Sequence, residues 1–111
     1  MRTFEKTGGG SAKTVHLRCG TRKYGYYHIL HDHRHDWQAY ASPLSLDWRT
    51  FSDWAMEQVL ISTERVSREP HNRYRFSAPV MLYKGKQLRK RFRGVVVIES
   101  SKGVITSYPQ G

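Results

Sequence analysis

Four of the six histidines fall within eight positions, His28, His31, His33 and His35, with Asp32, Arg34 and Asp36 among them. Imidazole gains and loses a proton near neutrality, so it serves as a general acid or base in the physiological range. Cleavage of RNA by its own 2′-hydroxyl needs little more. One group removes the 2′ proton, a second protonates the leaving 5′ oxygen, and a cation steadies the charged phosphorane. No metal or cofactor enters such a scheme. On a continuous helix His28, His31 and His35 share one side, at i, i+3 and i+7. His33 lies about 140° around the axis from His28. His28 is the first candidate for proton transfer; His31, His33 and His35 are open alternatives for the second group, and Arg34 is a candidate for the phosphorane. The same cluster has two other readings. His-X-X-His and His-X-His pairs with Asp32 can hold zinc, with His71 as the one further histidine downstream. A histidine-rich polar helix face with no chemistry is the plainer one.

Two further groups of residues bear on phosphate chemistry. Near the end of the chain, Thr106 and Tyr108 point to the same face if the segment is a strand. A hydroxyl and a phenol side by side can position a phosphate or a base. Earlier comes a basic stretch, Lys84, Lys86, Arg89, Lys90, Arg91 and Arg93. Strand alternation puts Arg89, Arg91 and Arg93 on one face and Lys90 on the other, and Arg73 and Arg75 can join that face from a neighbouring strand. Such cations hold phosphates while nearby Tyr74 or Tyr83 offers a stacking surface.

The charge of the whole chain agrees with an anionic partner. Nineteen Lys and Arg face nine Asp and Glu, a net +10 over 111 residues. A field of that sign gathers polyanions and speeds their capture. RNA is the expected partner, and a basic RNA-binding module without catalysis accounts for charge and aromatics equally well. No basic amphipathic helix with a broad apolar face suggests a membrane surface. No apolar run approaches the roughly 18 residues of a membrane span, and the opening residues lack the charged-then-apolar pattern of a leader. Export is therefore expected to depend on sequence outside this segment. Cys19 is the only cysteine, so the fold is expected to hold without disulfides, with Cys19 a buried thiol.

The elements that must position these groups are legible in outline. Residues 1–14, with Gly8 to Gly10 and Ser11, read as a flexible tail, leaving 15–111 as a single domain. Val15 to Leu17 suits a short strand or the lead-in to a helix. Tyr26 to Tyr40 has no Gly or Pro, and Ile29, Leu30, Trp37 and Tyr40 form an apolar stripe, which predicts one helix. Asp47 is the candidate N-cap of a second, about Trp48 to Ser62, whose Trp48, Phe51, Ala55 and Val59 share a face. Glu64 to Asn72 is charged, contains Pro70 and reads as a loop. Strand-like runs follow at Arg73 to Ser77, Val80 to Tyr83, Gln87 to Arg93, Val95 to Ile98 and Val104 to Tyr108, with turns at Lys84 to Lys86 and Ser100 to Gly103. The expected fold is α+β, two N-terminal helices packed on one face of a three- to four-stranded antiparallel sheet.

The string Tyr24-Gly25-Tyr26-Tyr27-His28-Ile29-Leu30, with His33 five residues after His28 and Trp37 beyond, resembles the helix of small nuclease toxins. These form the barnase, EndoU, colicin and RelE-like (BECR) superfamily. A Thr-X-Tyr element on a late strand, here Thr106 to Tyr108, and helices preceding an antiparallel sheet are similar too. The likeness spans roughly Lys23 to Pro109. One departure is that Asp32, not an arginine, precedes His33, and Arg34 follows it. The resemblance implies an endoribonuclease, often of transfer RNA. It further implies the C-terminal toxin of a larger secreted protein, as in contact-dependent growth inhibition. Such a toxin acts in the target-cell cytoplasm and is neutralised by a dedicated immunity protein, for which a basic toxin needs an acidic surface.

Overall fold

Asp47 opens the helix that organises the domain. Its carboxylate accepts from the Thr50 backbone N–H at 3.2 Å, satisfying one of the free donors of the first turn. That helix, Trp48–Ile61, buries Phe51, Ala55, Met56, Val59 and Leu60 along one stripe, as the spacing predicts. The computed structural model describes residues 2–5, 14–99 and 102–110. In chain order these form β1 (Arg2–Glu5), β2 (Thr14–Leu17), α1 (Gly25–Asp32), α2 (Arg34–Ala41) and a 3-10 turn (Ser42–Leu44). There follow α3 (Trp48–Ile61), β3 (Arg65–Glu69), β4 (Arg73–Lys84), β5 (Gln87–Glu99) and β6 (Gly103–Gln110). Strands β3 to β6 make a four-stranded antiparallel sheet in sequence order, and β1 with β2 makes a separate antiparallel pair.

The architecture is α+β with helices ahead of an antiparallel sheet, and several elements depart from the sequence reading. The single helix expected over Tyr26 to Tyr40 is two, meeting at His33, whose φ of −125° and ψ of 2° lie outside the helical range. Glu64 to Asn72 is not a loop. Arg65 to Glu69 is a strand, built from the ladder with Arg73 to Ser77 and not from any apolar alternation, since its side chains are largely exposed. The tail expected over residues 1–14 contains β1, whose Phe4 is 1% exposed and belongs to the core. The glycine run Gly8 to Gly10 with Ser11, and Ser100 of the second expected turn, lie outside the described residues. Cys19 is exposed, not buried. The runs either side of Pro79 are one strand. Beyond Ser77 the strand β3 no longer pairs with β4, so Pro79 faces an unpaired edge that does not need its missing N–H.

One core joins the helices to one face of the sheet. Trp37, Phe51, Phe76, Phe92, Val96 and Leu60 are almost wholly buried in it. Each such side chain stabilises the fold by about 1.5–3 kcal/mol through burial. Gly94 lets α3 approach closely, because a Cβ there would stand 2.6 Å from a Val59 methyl. The opposite face carries a smaller buried cluster, Val95, Val97 and Ile105, with Tyr24 and Tyr108 packed on it. Among the described residues no helix is long and apolar enough to cross a membrane.

Candidate active site

The site begins with how α1 is held. Gly25, at φ +76°, admits the backbone turn into the helix, and a Cβ there would meet the Arg18 carbonyl at 2.6 Å. The first helical N–H groups, those of Tyr26 and Tyr27, donate to the carbonyls of Arg18 and Cys19 at 2.8 and 2.9 Å. A small loop closed by paired backbone bonds between Thr21 and Tyr24 then turns the Arg22 carbonyl toward the helix. His28 Nδ1 lies 2.7 Å from that carbonyl oxygen. A carbonyl only accepts, so Nδ1 carries the hydrogen, and the neutral ring has its lone pair on Nε2.

That lone pair faces the sheet. His28 Nε2 is 2.9 Å from Thr106 Oγ1 on β6. The register explains how Thr106 gets there. Val97 pairs with Thr106 and Ile98 with Val104, which leaves Ile105 as an extra residue opposite β5. The bulge keeps Ile105 in the small cluster with Val95 and Val97 while Thr106 turns to the helix. The C-terminal strand is also anchored from behind, where the Trp37 indole N–H donates to the Ser107 carbonyl at 3.1 Å and Ser107 Oγ donates to the Val95 carbonyl at 2.9 Å.

His33 enters the same cleft because the helix breaks at it. Its ring sits 5.3 Å from that of His28, edge to face, and stacks on Tyr108 at 5.2 Å and 28°. On a continuous helix the two rings would diverge. His33 Nδ1 donates to Asp36 Oδ2 at 3.1 Å, so a carboxylate stands behind this imidazole as well. For His28 that role falls to Asp32, whose Oδ2 is 3.3 Å from Nδ1. Asp32 is held below the ordinary carboxylate range. The main cause is the hydrogen bond from His31; desolvation opposes it, and the charges of His28, His31 and His33 add smaller lowering contributions. Sequence reasoning named both carboxylates, Asp32 as a possible zinc ligand, but gave neither a role behind a histidine, although their i,i+4 and i,i+3 spacing was the available signal.

Of the sequence candidates, His28, His33, Thr106 and Tyr108 come together. His28 and His33 are 16% and 22% exposed, against 55% for His31, which pairs outward with Asp32. His35 and Arg34 are exposed on α2. Arg75 on β4 brings a cation to the cleft, its guanidinium carbon 6.0 Å from the Tyr108 ring centroid while its Nε donates to Glu69 at 3.0 Å. Arg93 pairs with Glu64 at 2.8 Å and with the Ser77 hydroxyl, and Arg73 approaches Glu99 at 3.6 Å. The strand register sets Arg73, Arg75, Arg91 and Arg93 in line with the residues that pair with Thr106 and Tyr108. Arg89 departs from that alternation, because the bulge at Leu82/Tyr83 leaves it unpaired near the hairpin end. Lys86, Arg89 and Arg91 are exposed there, Lys84 ends β4, and Lys90 lies on the helix side, 5.7 Å over the Tyr40 ring. His71 sits at φ +65° in the turn between β3 and β4, and among the described residues no three His, Cys, Asp or Glu converge on one point. Comparison of the chain with protein-family models, with curated proteins and with solved structures gives no match.

Proposed function

We propose that this protein is a metal-independent endoribonuclease working by histidine general acid–base catalysis. The observation that carries the reading is the convergence of His28 and His33 on Thr106 and Tyr108 in one cleft, with His28 Nε2 2.9 Å from Thr106 Oγ1. His28 is the base. Its hydrogen is committed to the Arg22 carbonyl, so the Nε2 lone pair, which accepts from the Thr106 hydroxyl without substrate, takes the 2′-hydroxyl proton once that hydroxyl turns to the phosphate. As the 2′ oxygen bonds to phosphorus, the bond from phosphorus to the 5′ oxygen breaks. His33, protonated and paired with Asp36, delivers a proton to that departing oxygen. The products are a 2′,3′-cyclic phosphate and a 5′-hydroxyl. Arg75, steadied by Glu69, supplies positive charge for the phosphorane, and the Thr106 hydroxyl positions the phosphate.

The element order, the His28-Ile29 pair in α1 and the Thr106 to Tyr108 element in β6 support membership in the BECR superfamily. On that membership the substrate is RNA of the transfer RNA class. The domain then serves as the toxin of a larger secreted protein, acts in the cytoplasm of a target cell, and is held inactive by an acidic immunity protein. Incubation with RNA in excess chelator tests the catalytic core of this reading. Cleavage ending in cyclic phosphate is expected, and His28→Ala should abolish it with an unchanged circular dichroism spectrum. Full activity in that variant would remove His28 from the mechanism. Activity lost to chelator would point to a metal-dependent nuclease, and tight salt-sensitive binding without cleavage to a non-catalytic module.

A further inference from the structure

A groove of about 690 Å³ runs between α1 and the start of α3, apart from the histidine cleft. Its volume falls within the roughly 300–1,000 Å³ of small-molecule sites. Three aromatic rings line it. Tyr26 and Trp48 stack at 6.0 Å and 15°, and the Arg49 guanidinium lies 4.9 Å over Tyr26, so this wall is already tied together. Tyr27 differs. It is 53% exposed and meets Tyr26 only edge to face, at 6.2 Å and 64°, which leaves ring surface open to a planar partner. Arg18 and Arg49, both exposed, supply cations for an anion beside that ring.

The lining also includes Asp47 and Asp53. Two carboxylates repel a bare phosphate backbone, so the groove is no simple polyanion track. Asp47 caps α3 through Oδ2, and a carboxylate has further acceptor sites for the N–H groups of a nucleobase. A planar base facing inward with its phosphate at the arginines matches the aromatic, acidic and basic parts of the lining. The groove and the cleft are neighbours along the chain. Tyr27 precedes His28, about 100° around α1. The segment that holds the helix start bonds Tyr26 through the Arg18 carbonyl and His28 through the Arg22 carbonyl. Arg22 and Lys23, in that same segment, are exposed. We infer that this groove receives an unpaired base flanking the scissile phosphate, stacked on Tyr27, so the substrate is single-stranded or looped RNA and not continuous duplex. Bases are open to such stacking only where they are splayed from a helix.

The inference rests on the ribonuclease reading, and binding separates the two. A labelled, fully 2′-O-methylated single strand, which cannot be cleaved, is titrated by fluorescence anisotropy alongside a duplex of the same sequence. Tyr27→Ala should weaken single-strand binding about tenfold, in line with one lost base–aromatic stack. Tyr27→Phe should restore it, and duplex affinity should not change in either. Arg18→Ala with Arg49→Ala should lower the salt slope by about one to two. Unchanged single-strand affinity in Tyr27→Ala would overturn the groove assignment alone, provided the wild type still binds and cleaves RNA. A wild type that neither binds nor cleaves RNA would overturn both readings.

Discussion

The cleft around His28 and the tip of the β4–β5 hairpin are both rich in residues that suit phosphate, yet they are built in opposite ways. In the cleft every group has a second anchor. His28 is tied through Nδ1 to a carbonyl, His33 to Asp36, and Thr106 is aimed by a bulge. At the hairpin tip Lys86, in the turn, and Arg89 and Arg91, on β5, stand exposed, and of the three only Arg91 has a ladder partner. Proton transfer demands a ring held within hydrogen-bond reach of one atom. Long-range attraction demands only charge of the right sign. Substitutions in the two regions should therefore differ in size and in the constant they change.

The cleft should show the largest effects. His33→Ala is expected to lower kcat by about 10²–10⁴, the usual worth of a positioned general acid. Combined with His28→Ala, it should cost little more than the worse single change, because the two act as a unit. Single-turnover cleavage of a defined RNA measures this, and fully multiplicative losses would show that the rings work separately. Thr106→Val keeps the shape and removes the hydroxyl. A drop of roughly five- to tenfold in kcat/KM is expected, about the worth of one hydrogen bond, and an unchanged rate would deny Thr106 any positioning role. Arg89→Ala with Arg91→Ala should leave kcat intact, raise KM a few-fold and reduce the salt slope by about one to two. A fall in kcat here would erase the contrast between the regions.

That contrast also marks how far the chain could be read without coordinates. Helix α3 was legible from its spacing and from Asp47, and the shared face of Thr106 and Tyr108 from strand alternation. Both are local periodicities. The break at His33 was not legible, because no Gly or Pro announces it; the ring is drawn into the cleft by Asp36 and Tyr108, and the latter lies 75 positions away. The same holds for β3, whose exposed, charged residues become a strand only through pairing with β4. The burial of Phe4 suits its type but was masked by the glycine run that follows it, while the exposure of Cys19 runs against its type. Arg75 was readable as a phosphate binder. Its nearness to Tyr108, in place of the helical Arg34, depends on the register across three strands.

The smallest expected effect, and the finest probe of how the cleft is tuned, is Asp32→Asn. The carboxyl of Asp32 is depressed below its ordinary value of about 3.9. Its charge therefore persists across the whole range in which imidazoles titrate, 3.3 Å from His28 Nδ1. Removing that charge disfavours the imidazolium, so the acid limb of the pH–rate profile should move to lower pH while the plateau falls only slightly. The shift should be small, because Asp32 is exposed and water screens the pair. Stability follows the same sign. A depressed carboxyl favours the folded state above its unfolded pKa, and that contribution disappears as pH falls through the lower folded value. Wild type should thus exceed Asp32→Asn in urea denaturation at pH 6, with the gap closing only in strongly acid solution. An acid limb that does not move would mean that the Arg22 carbonyl alone orients His28 and that Asp32 serves His31.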